Sequence, residues 1–262
     1  MTSMPYFLSR MRWIGPLVGV IGAVNVTHAA ERSPEDILRQ SLAFLNGQSR
    51  LSVRYSSDIE AVTPRLEKIQ FSGSGTLDLE RPDKFRISRV GGFADVALIL
   101  DGASFTIHDR GDKRFAQVPV TGSLDQVIAR LRREFHVDLP GADLFLPNAY
   151  EEMTEGVIES KHIGRGVVDG VECEHLAFRT TETDWQIWIE PGDKPAPRKY
   201  VITSKTVATA PQYTLRLGDW KFGGDATADF QFKAPPDASG VAITALSNLD
   251  EIPTTQVQGA TK

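Results

Sequence analysis

Five histidines, one cysteine and a pair of hairpin aspartates are the side chains in this 262-residue sequence best suited to bind a metal or move a proton. The histidines are His28, His108, His136, His162 and His175. No two stand four apart, and neither His-Glu-x-x-His nor Cys-x-x-Cys occurs, so a zinc site of regular spacing is not implied. His162 and His175 flank the turn residues Asp169-Gly170, which would let them face one another across a hairpin. Such a pair is either an ordinary polar strand contact, the simpler reading, or half of a metal site. In "FTIHDRGDKRF", Asp109 and Asp112 alternate with Arg110 and Lys113, which suits a solvated hairpin tip better than a calcium loop. Cys173 lies between Val171 and His175 in a strand-like stretch and reads as a buried structural thiol; a lone cysteine cannot form a disulfide within the chain. The glycine runs "GSGTLD" and "GRGVVDG" lack the dinucleotide fingerprint, and "FSGSGTL" lacks the order and following helix of a nucleophile elbow. No acid, base and nucleophile converge. An enzyme is not expected, nor is a metal or cofactor.

The elements that would position these residues begin after a leader. Arg10 and Arg12 precede an apolar run from Trp13 to Val26 that ends in "THAA", the three parts of a secretory signal peptide, with cleavage expected after Ala29. The formal net charge is −5 and becomes −7 without the two leader arginines. No basic stripe points to nucleic acid. Export without disulfides or a lipid-modified cysteine suggests the periplasm. Residues 30–245 suit one domain, and 246–262 a polar, mobile tail. A helix is expected from Ser33, with Pro34 at its first position, Glu35 and Asp36 at its positive end, and Ile37, Leu38, Leu42 and Leu45 in one stripe. About six strands follow, joined by tight turns, which implies an antiparallel meander. Gly73 and Gly75 share a face with Ile69, Phe71, Leu77 and Leu79, a pattern that lets a long strand bend. A helical insertion over about 122–154 opens with the capping pair Ser123 and Gln126. About five more strands follow.

The stretch "TETDWQIWIE" sharpens the architecture. Trp185, Ile187 and Ile189 share one face of a strand, but Trp188 falls on the other, so both faces of the sheet require cover. A long antiparallel sheet must curl, split or close. The fold class expected is α+β, mainly β: a strongly curved antiparallel half-barrel of about 11 strands, an N-terminal helix, and a mid-chain helical lid over the concave face. One tryptophan would face the lid and the other the convex side, beneath the N- or C-terminal cover.

Residues 169–220, "DGVECEHLAFRTTETDWQIWIEPGDKPAPRKYVITSKTVATAPQYTLRLGDW", and the later "FQFKAPP" resemble a family of predicted periplasmic proteins of unknown function. In element order that family is similar to the superfamily typified by the outer-membrane lipoprotein carrier, the lipoprotein localisation factor. The resemblance implies an apolar concavity that holds acyl chains under a movable lid. It carries over no catalytic residue, and the localisation factor's own signature residues are not legible here.

The candidate ligand-binding residues are therefore apolar. Phe85, Ile87, Phe105, Ile107, Trp185 and Ile187 would line the sheet. Leu124, Ile128, Leu131, Phe135, Phe145 and Leu146 would lie above them. These layers either pack into a solid core or enclose a cavity; only the resemblance favours the cavity. Arg54 and Arg86 are candidates for an anionic headgroup, and Gly141 and Pro147 for hinges. Expected partners are a hydrophobic ligand, lipid or acyl chain, and, transiently, a membrane or lipoprotein. The protein is expected to be a monomer.

Overall fold

The computed structural model describes residues 32–135, 141–246, 249 and 252, without the side chains of Arg132 and Phe135. The leader, its cleavage site, the Phe135 side chain and most of the expected tail lie outside the described residues.

The chain enters through helix α1 (Pro34–Asn46), where the Ser33 hydroxyl accepts the Asp36 N–H at 3.1 Å as a cap. Six strands then form a meander: β1 (Arg50–Val62), β2 (Lys68–Glu80), β3 (Lys84–Gly91), β4 (Asp95–Asp101), β5 (Ser104–Asp109) and β6 (Arg114–Pro119). Helix α2 (Leu124–Phe135), a 3₁₀ turn (Ala142–Phe145) and helix α3 (Ala149–Thr154) make up the insertion. Gln126 Oε1 accepts the Ser123 N–H at 3.2 Å, half of the expected capping box. A second meander follows: β7 (Glu159–Val168), β8 (Val171–Arg179), β9 (Thr183–Ile189), β10 (Pro197–Ser204) and β11 (Gln212–Phe222).

The meanders join where β1 pairs antiparallel with β11, the first strand of one against the last of the other. The result is one open, curved sheet of twelve strands that does not close into a barrel, with β7 at one edge. The twelfth strand, β12 (Ser239–Gly240), is a two-residue addition parallel to β6 at the other edge. Irregular register at His162/Gly164 and Pro197/Lys199, and between Ser52 and Arg54, bends the sheet at three places.

Strand alternation sends Leu51, Val53, Leu79, Phe85, Leu98 and Phe105 inward from the first meander. Leu176, Trp185, Ile187, Tyr200, Leu215 and Leu217 do the same from the second. All three helices supply side chains to this one inner core. Helix α1 packs on the 3₁₀ turn, α3 and β7.

The outer face is covered differently from expectation. Trp188 stacks on His175 of β8 at 4.1 Å, with the Lys199 ammonium 4.7 Å from its ring and Gly166 of β7 leaving it room. Its cover is thus the sheet's own neighbouring strands and not a chain terminus. The C-terminal chain instead crosses the outer face of the first meander. Arg50 and Arg86 donate to the carbonyls of Ala228 and Asp229, and Phe232 packs on His108 and Phe115. It then rounds the β6 edge, and Leu246 and Leu249 pack against the inner core. These two residues, expected in a mobile tail, are anchored by burial of apolar surface.

Candidate ligand site

The inner face of the first meander is built from side chains paired across strands. Leu51, Leu79, Phe85, Leu100 and Phe105 form one row, and Val53, Leu77, Ile87, Leu98 and Ile107 the next. A third row runs Tyr55, Gly75, Arg89, Val96. There the sheet requires glycine: a Cβ on Gly75 would lie 1.8 Å from the Ser88 carbonyl oxygen and 3.0 Å from the Tyr55 ring. The Tyr55 hydroxyl donates to that same Ser88 carbonyl at 2.9 Å, so the ring lies across the bare glycine.

Over these rows the insertion closes as a roof. Between roof and sheet lies a cavity of about 50 Å³, walled by Val53, Tyr55, Leu77, Ile87, Leu215 and Leu217, with Arg89 and Tyr213 as further polar-tipped lining. Gly141, Ala142 and Phe145 form its ceiling. An adjoining void of about 20 Å³ lies under α2, lined by Leu79, Phe85, Leu124 and Ile128. Both voids touch Leu77, Ile87, Ala142 and Phe145, so Phe145 stands between them. Gly141 has φ +80°, a backbone conformation that favours glycine, and a Cβ there would press on the tip of the Leu215 side chain at 2.7 Å.

Polar contacts from α1, β10 and the turn after β2 tie the roof down. The Tyr200 hydroxyl donates to Asp143 at 3.2 Å. Arg81 donates to the Phe145 carbonyl at 2.9 Å and to Asn46 at 2.8 Å, and Asn46 Nδ2 donates to the Pro147 carbonyl at 3.2 Å. Burial, helped by the neighbouring Asp143 charge, raises the Tyr200 phenol well above its ordinary range. Burial lowers the Arg81 guanidinium.

Of the expected ligand-binding residues, Phe85, Ile87, Leu124, Ile128 and Phe145 line the voids. Phe105, Ile107, Trp185, Ile187 and Leu131 are buried in the surrounding core, and Leu146 packs partly buried against it. The two headgroup candidates require correction. Arg54 is exposed on the outer face and pairs with Asp219 at 3.3 Å, while Arg86 reaches the Asp229 carbonyl on that same face. Period-2 alternation places residue 89 of β3 inward and residue 86 outward. Arg89 was therefore legible as inward-pointing in "KFRISRV" once Phe85 and Ile87 were placed on the inner face. Leu215, Leu217 and Tyr213 were missed because the pairing of β1 with β11 joins residues more than 150 positions apart.

The groups that suggested chemistry are separated. The irregular register opposes His162 to Leu176 and Gly164 to His175, so the two histidines take opposite faces and no metal pair forms. His162 Nε2 instead lies 3.0 Å from Glu174. Asp109 and Asp112 share Arg114 at the hairpin tip. Cys173 is buried, and burial pushes its thiol up to about 11, the opposite of an activated nucleophile. Among the described residues no cluster of three metal-ligating side chains occurs.

The family model described as predicted periplasmic protein (DUF2092) matches residues 34–244, the span from α1 through the outer cover to the turn after β12. The chain belongs to this family. No curated protein sequence matches it. This DUF2092 chain is also similar to solved structures. The lipoprotein LppX from Mycobacterium tuberculosis is 12% identical, with 76% of this chain and 98% of that one covered and a TM-score of 0.38. LprF from Mycobacterium bovis is 12% identical, with 77% and 97% covered and a TM-score of 0.44. A LolA superfamily protein from Nitrosomonas europaea is 12% identical, with 74% and 94% covered and a TM-score of 0.32.

Proposed function

We propose that this DUF2092 protein is an exported periplasmic carrier that shelters an acyl chain, free or attached to a lipid or lipoprotein, between its curved sheet and its helical roof. The observation that carries this reading is the apolar cavity under Gly141–Phe145 and its continuation toward α2. At about 50 Å³ it falls far short of the roughly 300–1,000 Å³ usual for ligand sites, so it is the closed form, and loading requires the roof to lift. The roof suits this: it consists of a short 3₁₀ turn and a six-residue helix, not of strands paired into the sheet. Gly141 and Pro147 bracket the part that would move.

The driving force is removal of methylenes from water, about 0.8 kcal/mol each. A sixteen-carbon chain gains roughly 12 kcal/mol on this basis, against an association cost of about 4–15 kcal/mol, so chains much shorter than this would not be retained. Affinity should accordingly rise about fourfold per added methylene across a fatty-acid series, as measured by displacement of a fluorescent fatty acid. A flat series would sink the reading. The decisive experiment is organic extraction and mass spectrometry of mature protein purified from a periplasm without detergent. Stoichiometric lipid, fatty acid or acylated peptide would establish a carrier.

A second reading has its own observation. The cavity is small and most of the inner core is fully buried, as a non-catalytic interaction module with a filled core would have it. A ligand-free protein that also fails to take up the fluorescent fatty acid favours that module.

A further inference from the structure

We propose that one end of the sheet is a docking surface for a lipid bilayer, through which the acyl ligand enters and leaves the cavity. The inference deepens the carrier reading and rests on it. Eight large apolar side chains are exposed among the described residues, and five of them gather at this end. Leu66 and Ile69 belong to the turn between β1 and β2 and the start of β2. Val90 and Phe93 belong to the end of β3 and the turn into β4, and Val207 to the turn between β10 and β11. Because β10, β11, β1, β2, β3 and β4 are successive neighbours in the sheet, these three turns stand side by side. At about 4.8 Å between strands the row is about 19 Å long. The turns at the opposite end, residues 81–83, 102–103, 169–170 and 190–196, contain no leucine, isoleucine, valine, methionine or aromatic residue. The clustering therefore belongs to one end and is not a general property of the turns.

Leu66, 60% exposed, is held outward by its turn. The Thr63 N–H donates to the Glu67 carbonyl at 2.9 Å, the Leu66 N–H to the Thr63 carbonyl at 2.9 Å, and the Glu67 N–H to the Thr63 hydroxyl at 3.2 Å. Leu66 has φ +65°, a conformation that an aliphatic residue rarely adopts, so the turn bears strain to present this side chain to solvent. Phe93, 47% exposed, packs edge-on against Phe71 at 5.8 Å. Phe71 stands opposite Ile59, and Ile59 opposite Tyr213, which lines the cavity. Side chains of one face thus run from the row to the cavity wall.

Charge and shape select the occupant. The charges beside the row largely cancel: Lys68 pairs with Glu60 at 2.9 Å, Arg110 pairs with Asp95 at 2.6 Å, and Arg65 and Glu67 flank Leu66 with opposite signs. Such a surface offers little to steer a charged protein partner. Three separate turn tips also do not make the continuous patch of about 800 Å² per side that a stable protein interface needs. A bilayer instead closes around separate apolar projections, to a depth of about 5–10 Å.

The test is flotation of mature protein with phosphatidylcholine vesicles and with vesicles that also contain phosphatidylglycerol, at low and high salt. It is set beside transfer of a pyrene-labelled fatty acid from protein to vesicle. The wild type should float with both kinds of vesicle, with little loss at high salt, and its transfer rate should rise in proportion to vesicle concentration. Leu66→Asp/Phe93→Asp should lower flotation and transfer by about tenfold or more, while affinity for the labelled fatty acid in solution stays within about twofold of wild type. A double variant that floats and transfers like wild type overturns the surface. So does a wild type that does not float, or that floats only with phosphatidylglycerol and is released by salt; these outcomes need no variant to fold and leave the carrier standing. A transfer rate independent of vesicle concentration overturns the surface as the ligand's route. Self-association that replaces flotation and is lost in the variant assigns the row to a second copy and overturns the bilayer. Failure of the wild type to bind the labelled fatty acid overturns the carrier, and with it the passage of ligand, independently of flotation.

Discussion

Single residues tie the roof to the sheet beneath it. Tyr200 reaches Asp143 from a fully enclosed position on β10, and this contact joins the roof to the second meander. Tyr200→Phe should cost about 1–3 kcal/mol, because it removes the phenol donor from the carboxylate. It should also speed amide hydrogen exchange in residues 141–150, and unchanged exchange there would show that the contact does not hold the roof. The same phenol imposes a pH dependence. Its folded-state pKa is raised above the ordinary 10.0, so the unfolded chain loses the proton first. The stabilisation is fully present below pH 10 and is lost as pH rises beyond it toward the folded value. Urea midpoints for wild type should therefore fall above pH 10 more steeply than those of Tyr200→Phe.

At the scale of elements, the two voids beneath the insertion are separated from each other by one ring. Phe145 is 7% exposed and borders both voids. Phe145→Ala should cost about 3–5 kcal/mol by urea denaturation and merge the voids, and it should also strengthen binding of a fluorescent fatty acid. A loss of stability without a gain in binding would mean that the enlarged space is not on the ligand's path. Helix α1 braces the roof from outside the voids. Its start is capped, its stripe Ile37, Leu38, Leu42 and Leu45 is buried, and Asn46 at its end donates to the Pro147 carbonyl.

For the whole molecule the open sheet leaves an edge at β7, where Ile163 and Val167 are 53% and 71% exposed. Such an edge invites pairing with another chain. Here the charges of Lys161 and Arg165 alternate with those side chains, and the irregular register at His162/Gly164, with Gly164 at φ +116°, bends the strand. Wild-type protein should therefore sediment as a monomer across a wide concentration range, whereas Lys161→Val/Arg165→Val should associate as concentration rises. Monomeric behaviour of the variant would show that the bend alone protects the edge.

The order helix, six strands, helical insertion, five strands is written in local patterns. Strand alternation, Ser33 before Pro34, and Asp169-Gly170 at a turn depend only on neighbours in the chain, so they were legible without coordinates. Membership of the sheet's inner face was legible too, within each strand. Three matters were decided by tertiary structure. The seam between β1 and β11 brought Leu215 and Leu217 to the cavity, and no local pattern encodes a pairing so distant in sequence. The irregular register in β7 moved His162 and His175 to opposite faces, because one displaced residue reverses every side chain beyond it. The last was the choice of cation. Arg54, Arg86 and Arg89 are alike as residues, and only the face on which each strand lies, with the C-terminal chain returning over the β6 edge, makes Arg89 the one of the three that borders the cavity.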